Sequence, residues 1–397
     1  MIYTGGVVMV KLRPSEIAGD PMTQSESVVL LACGDVGPVH GKMEEYGTLV
    51  NPTLATGDIR FAQCERLYST AYSAADEPGT NVDLGHGPLP PEMISIFTDA
   101  GFDVVSLAGN HTMEWGDEVA LDTIELFEKK GIRAVGAGPN LDAARAPVYV
   151  EKNGVRVAFL ARCSVVREDH VAGPNKCGVA PVRAHTTYEA VEWQAGMPPR
   201  IITVPYEEDL QHLKADIAEA REAADVVVLS LHWGLHYIPR RIAEYQPIVA
   251  KTAFDAGVDL ILGHHPHVPK AIEARGRNKA CFYSLGNFMF STDTGLKPGF
   301  EEKMRFNGLD SDFDEFPLCP HGRDSKRSLI AKAILSRDGM ERASFLPVQI
   351  DTQLRPEVLT HDDPRFDENV DFMEWVSVGF DHRFEVEGEE VVVTGSA

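Results

Sequence analysis

The chain has 397 residues, 44% hydrophobic and 24% charged, enough for one large α/β domain or for two domains, and too apolar for disorder along its whole length. Its 37 basic and 60 acidic residues give a net charge of −23. Such a surface repels phosphate backbones and anionic lipid, which sets nucleic acid and membrane aside as partners. None of the six cysteines forms a C-x-x-C pair. Cys33, Cys64 and Cys281 sit in apolar runs and read as buried thiols, not as a disulfide framework.

Residues 1–24 read as an N-terminal extension with one short apolar patch, and Met22 is an alternative start. There is no basic start followed by a long apolar stretch, and no run long enough for a membrane span, so the expectation is a cytoplasmic protein. A β-branched run predicts a strand over 28–32. Residues 66–90, rich in Gly, Pro and polar side chains, read as a surface excursion. A helix over 91–100 stops at Gly101, and a strand follows over 103–107. The helix over 118–130 carries Ala120, Ile124 and Phe127 on one face. Residues 155–160 form the next strand. The stretch 163–207 breaks the rhythm with Pro174, Pro181, Pro198, Pro199 and Pro205. A helix over 208–224 leads to a strand over 226–231, whose near-continuous apolar run suits a strand covered on both faces. A helix over 243–256 ends at Gly257, and short strands follow over 260–262 and 281–284. Residues 293–326 form a second long loop. The end, 351–397, reads as an acidic, irregular extension closing with a strand over 390–394. Strands alternating with helices define an α/β fold, and there are no internal repeats.

Polar side chains cluster just past the apolar runs. Asp35 follows VVLLAC, Glu65 follows FAQC, and Asn110-His111 follows VVSLAG. His232 follows VVVLSL, His264-His265-Pro266-His267 follows LILG, and Asn287 follows CFYSLG. In α/β sheets the site lies beyond the carboxyl ends of the strands, so these groups are aimed at one crevice. Singly each has a bland reading: Asp35 as a cap, His232 as a satisfied core histidine. As a set of Asp, Glu, Asn and His they suit Mn, Fe or Zn better than Ca or Mg. Two such ions about 3.5–4 Å apart, bridged by a carboxylate, activate water and hold a leaving group.

The blocks GFDVVSLAGNHTMEWG, GIRAVGAGPNLDAARAP, VVVLSLHWGLHY, DAGVDLILGHHPHVPKAIE and FYSLGNFMF resemble the CapA family of poly-gamma-glutamate capsule-synthesis proteins, over about residues 28–350. The resemblance implies a calcineurin-like metallophosphoesterase fold, a layered α/β/β/α sandwich with loop insertions, occupying 25–350 as the catalytic domain. It implies one or two divalent ions. Asp35 and His267 would bind the first, Glu65 would bridge, and Asn110, His232 and His265 would bind the second. His111 would be the general acid, and His264 a spacer or supporting residue. Two departures stand out. Gly37 occupies the position where the fold usually has the His of Asp-x-His, with His40 as a candidate replacement, and Gln63 stands where the family has Asn.

Arg162, His170, His185 and Tyr188, from the irregular stretch after a strand, are candidate substrate contacts, as is His236 after the HWG block; the alternative for each is a solvated loop. Guanidinium groups there suit a carboxylate or phosphate. The expected function is metal-dependent hydrolysis of a small molecule, at a phosphoester or at an amide, imide or lactone carbonyl. The alternative is a non-catalytic, polymer-binding factor in capsule synthesis. A homo-oligomer is compatible with either.

Overall fold

The computed structural model describes residues 27–71, 87–193, 196–292, 299–306 and 308–396. The expected extension over 1–24 lies outside the described residues, as do 72–86 of the first excursion and 293–298 of the second long loop.

Two sheets carry the fold. In chain order their strands are β1 (Val28–Gly37), β2 (Ile59–Cys64), β3 (Val104–Ser106), β4 (Arg133–Val135), β5 (Val148–Lys152), β6 (Val155–Cys163), β7 (Val226–His232) and β8 (Leu260–His264). They continue with β9 (Ile272–Arg275), β10 (Lys279–Phe282), β11 (Asn287–Phe290), β12 (Arg327–Ser336), β13 (Gly339–Ile350), β14 (Arg383–Glu387) and β15 (Glu390–Thr394). The first sheet runs β14-β15-β13-β12-β1-β2-β3-β4, with β11 added parallel to the end of β1 and the short strand Pro356–Val358 antiparallel to β13. The second runs β9-β10-β8-β7-β6-β5. β1 to β4 are mutually parallel, as are β6, β7, β8 and β10. Parallel strands put their carboxyl ends on one edge of each sheet.

Side chains alternate across each strand, which decides the layers. Val28, Leu30 and Ala32 of β1 share one core with Val157 and Phe159 of β6 and with Val226 and Val228 of β7. The sheets therefore pack face to face, and Phe61 stacks on Phe159 across the gap at 5.7 Å between ring centroids. The outer face of the first sheet is covered by Ser95–Ala100 and by α1 (Gly116–Lys129), through Phe97 and Phe127. The outer face of the second is covered by α2 (Glu207–Ala223) and α3 (Tyr245–Ala256), through Leu213, Ile217 and Val249. This is the expected α/β/β/α order. Gly101 closes the first helix with φ +69°, a left-handed conformation that glycine adopts without a Cβ penalty.

Three expectations change. β1 runs five residues beyond its apolar start to Gly37, so Asp35 sits within the strand, paired with Gln63 and Asn287. The stretch 163–207 holds an exposed hairpin, Ala184–Glu189 with Arg200–Pro205. The reading of 351–397 as irregular is corrected. A further helix, α4 (Pro364–Ser377), starts at proline behind the Asp363 cap and seats Phe366, Met373 and Val376 in the core between the sheets, and β15 pairs with β13. All six cysteines are free and buried. No helix among the described residues is long and apolar enough to cross a membrane.

Candidate metal centre

The strand ends bring the polar residues together. Asp35 lies on β1, and Glu65 follows β2, its N–H donating to Val36 O at 2.8 Å. Asn110 and His111 follow β3. His232 closes β7 and His264 closes β8, side by side in register. Past β8 the chain turns sharply: His265 has φ +94° and His267 φ +57°. Non-glycine residues held in that region cost about 1–3 kcal/mol each, and such positions concentrate at functional sites.

Within this turn, His267 Nδ1 lies 3.3 Å from Asp35 Oδ2 and Nε2 lies 3.6 Å from Glu65 Oε1. His265 N–H donates to Asp35 Oδ2 at 3.4 Å, and the His265 ring is 5.0 Å from that of His232. His232 Nε2 is 2.7 Å from Asn110 Oδ1. One ligand atom from each of Asp35, Glu65 and His232 lies within 4.8 Å of the others. All six residues assigned as ligands are thus drawn to one spot, and every one except Asn110 is buried.

Several of their polar atoms lack partners. Asp35 Oδ1, both Glu65 oxygens, His232 Nδ1 and His265 Nδ1 are buried without a hydrogen bond. Buried polar atoms are normally paired, and one left alone costs about 1–3 kcal/mol. Burial drives the Asp35 carboxyl up to about 8. Burial and then the neighbouring Asp35 do the same to Glu65, also to about 8. Burial first, then neighbouring histidines, holds His232, His265 and His267 well below the ordinary imidazole range. The result is two buried carboxyls with no Lys or Arg ion pair within 4.0 Å among the described residues, the Arg66 charge acting on both from farther off, beside neutral imidazoles with free lone pairs. That donor set fits a metal ion.

Supporting groups fix these side chains. Asn287 gives its Nδ2 hydrogens to His267 O at 3.4 Å and Ser325 O at 3.2 Å. Its Oδ1 therefore faces His267 Nδ1, 2.8 Å away, and accepts its proton, which leaves the Nε2 lone pair toward Glu65. His111 is partly exposed. Its Nδ1 donates to Glu114 Oε1 at 2.7 Å, and its Nε2 sits 3.1 Å from Asn110 Nδ2 and 3.7 Å from Glu65 Oε1. His264 is fully buried with Nδ1 3.4 Å from Asp35 Oδ1, beside the Asp35 oxygen that lacks a hydrogen bond.

The remaining candidates divide. His236 is at the cluster, its ring 3.9 Å from that of His265. His170 stands near Glu114, close enough for that charge to act on it. Arg162 is not brought to the cluster: it is buried and ion-paired with Asp216 of α2, which also holds Arg145. His185 stacks on Tyr206 at 3.8 Å, and Tyr188 is 70% exposed, both on the projecting hairpin. His40 lines a separate cavity with Tyr46, Phe316 and Leu354. Three groups at the cluster were absent from the sequence reading. Tyr237 stacks on His267 at 5.8 Å, and buried His321 from the long loop lies 5.9 Å from the same ring. Glu114 is the third. Its signal was present in GNHTME, where it stands three residues after His111.

Two facing sheets, helices outside, and a ring of buried carboxylates and imidazoles at the strand ends define a mixed α/β protein with a candidate metal centre. Residues 16–292 match the family described as bacterial capsule synthesis protein PGA_cap, and the chain belongs to that family. It is 34% identical over 257 residues to the PGA biosynthesis protein CapA of Bacillus subtilis, covering 62% of this chain and 60% of that protein. It is 32% identical over 290 residues to the capsule biosynthesis protein CapA of Bacillus anthracis, covering 70% and 63%. The chain thus spans about six-tenths of the length of these curated relatives. It is also similar to the calcineurin-like phosphoesterase YfkN of Bacillus subtilis, at 13% identity and a TM-score of 0.37, covering 88% of this chain and 98% of that one.

Proposed function

We propose that the chain is a metal-dependent hydrolase of a small molecule, acting at a phosphoester or at an amide, imide or lactone carbonyl. The observation that carries this reading is the convergence of Asp35, Glu65, His232, His265 and His267 in a buried cluster where the first four each keep at least one polar atom without a hydrogen bond. These five with Asn110 would hold one or two divalent ions. When bound, such ions supply Lewis acidity and an activated water.

The chain's own groups do the rest. Asn287 holds His267 in the tautomer that points Nε2 inward. Glu114 fixes the His111 ring, so that Nε2 faces the cluster from its open side. From there His111, when its ring also carries a proton on Nε2, gives that proton to the leaving group and is left as the neutral imidazole bonded to Glu114. Stacked His236 and Tyr237 form a wall over His265 and His267 that limits access of bulk water. The test is a screen of metal-reconstituted protein on phosphoesters beside amides and lactones, with His111→Ala as control. His111→Ala keeps metal and loses turnover; loss of metal would show the role to be misassigned.

A second reading is favoured by the family description and by the names of the two Bacillus relatives. In it the site belongs to a factor that binds the capsule polymer without cleaving it. Binding of poly-gamma-glutamate that survives His111→Ala, with no turnover of any substrate class, supports this reading over hydrolysis. The proposal further takes the protein as cytoplasmic, with neither nucleic acid nor membrane as partner and with a homo-oligomer allowed. Cell fractionation and light scattering check these points.

A further inference from the structure

Among the described residues four cationic side chains are buried: Arg66, Arg162, Lys270 and Lys326. Three have strong partners. Arg162 pairs with Asp216, Lys326 with Asp312 at 2.7 Å, and Lys270 donates to the carbonyls of Ile238 and Arg241. Arg66 differs. It is 3% exposed, its Nε has no hydrogen-bond partner, and its Nη1 donates to Glu65 O over a long 3.5 Å. No ion pair to a carboxylate within 4.0 Å is formed by Arg66 among the described residues. A buried guanidinium with unused donors is costly unless something else satisfies it.

Its position points to that something. Arg66 follows Glu65 directly and shares a small cavity with Glu65, His111, Glu114 and Trp115. The guanidinium lies over the Phe290 ring, 5.2 Å from its centroid, which supports the planar fork from one side. The space it uses exists because of Gly37. A Cβ at Gly37 would stand 2.7 Å from Arg66 Cγ and 2.9 Å from Glu65 Cβ, closer than real Cβ contacts come. The glycine that replaces the expected His of Asp-x-His therefore does more than remove a ligand: it makes room for the Arg66 side chain beside the cluster.

We propose that Arg66 is a substrate contact that takes an oxyanion, a carboxylate or a phosphate group, adjacent to the bond being cleaved. This rests on the hydrolase reading above and narrows its substrate class to anionic small molecules. A guanidinium presents a rigid fork of N–H donors that matches either oxyanion. It also offers an anion a local attractor in a protein whose net charge of −23 otherwise repels it.

The experiment is calorimetric titration of the metal-loaded protein with inorganic phosphate and, separately, with glutarate, for wild type, Arg66→Gln and Arg66→Lys, with metal content and melting temperature measured on each. Wild type binds at least one of the two. Arg66→Gln weakens that binding by about tenfold or more, as expected for loss of charged hydrogen bonds, with metal content unchanged. Arg66→Lys, which keeps a cation in the same hole and guards against misfolding of the Gln variant, falls in between. The anion that suffers the loss tells phosphate from carboxylate. Unchanged binding in both variants overturns the proposal. So does loss of metal in Arg66→Gln, which would make Arg66 a counter-charge for Asp35 and Glu65. A wild-type protein that takes up no metal overturns the hydrolase reading itself.

Discussion

Asparagine in place of Asp35 changes stability and metal binding in opposite directions. Asp35 is fully buried, one oxygen has no hydrogen bond, and Glu65 lies in the same cluster. Without metal its carboxyl is raised from 3.8 to about 8, chiefly by burial. The sign follows directly. The folded state holds this proton more tightly than the unfolded state, so the stability that Asp35 contributes to the metal-free protein is fully present below about pH 4. That contribution is lost as pH rises through about 8, above which both forms have ionised. At about 1.4 kcal/mol per pH unit, a window of about four units caps the loss at roughly 5–6 kcal/mol. An amide leaves its own buried N–H groups short of acceptors, at about 1–3 kcal/mol. The net expectation is that metal-free Asp35→Asn is more stable than metal-free wild type by roughly 2–4 kcal/mol at pH 8. That advantage shrinks to nothing or reverses at pH 5. Added Mn or Zn raises the wild-type melting temperature and leaves the variant's almost unmoved. Melting curves of chelator-treated protein at pH 5 and pH 8, with and without metal, read all of this. A variant less stable than wild type at both pH values in chelator would refute the reasoning, because Asp35 would then have a partner in the metal-free protein.

Three further substitutions separate the roles of neighbouring groups. Glu114→Gln loosens the His111 ring and lowers turnover by about 10- to 100-fold while metal content stays constant, read by steady-state rates beside elemental analysis. Asn287→Ala removes the acceptor that sets the His267 tautomer and weakens metal affinity by about 10- to 100-fold, read by competition with a chromogenic chelator. Arg162→Met breaks the buried pair with Asp216 and lowers unfolding free energy by about 3 kcal/mol in urea without changing metal content, as a side chain on the helix-facing side of β6, opposite to His232, should.

The parts of the site readable from sequence are those set by local rules. Apolar runs of parallel strands are continuous, so each strand end is marked where polar residues begin: Asn110 after β3, His232 closing β7, His264 closing β8 with His265 and His267 after it. Glycines after helices, such as Gly101 and Gly257, mark the stops where the structure has them. What depends on tertiary approach was not readable. His321 reaches the cluster from a distant loop that no spacing rule connects to it, and the inward placement of Arg66 and Tyr237 is set by how their loops fold, not by their standing next to Glu65 and His236. The placement of Arg162 was open to a local rule that went unused. On β6, Ala158 and Leu160 face the helices while Phe159 and Ala161 face the inter-sheet core, so Arg162 follows Leu160 onto the helix side, where Asp216 waits. The C-terminal helix was hidden by its acidic residues. Asp367, Glu368, Asp371 and Glu374 mask the spacing of Phe366, Met373 and Val376, which is helical once the polar face is set aside. β2 was obscured by Arg60 and Gln63, polar residues inside a strand that is otherwise apolar.

The central claim is that the strand-end cluster holds metal. Elemental mass spectrometry of the purified protein, beside a His265→Ala/His267→Ala double variant of matched melting behaviour, tests it most directly. The account predicts about one to two equivalents of Mn, Fe or Zn per chain in the wild type and close to none in the double variant. Wild-type protein without metal even after reconstitution, or a double variant that retains the full amount, would contradict it.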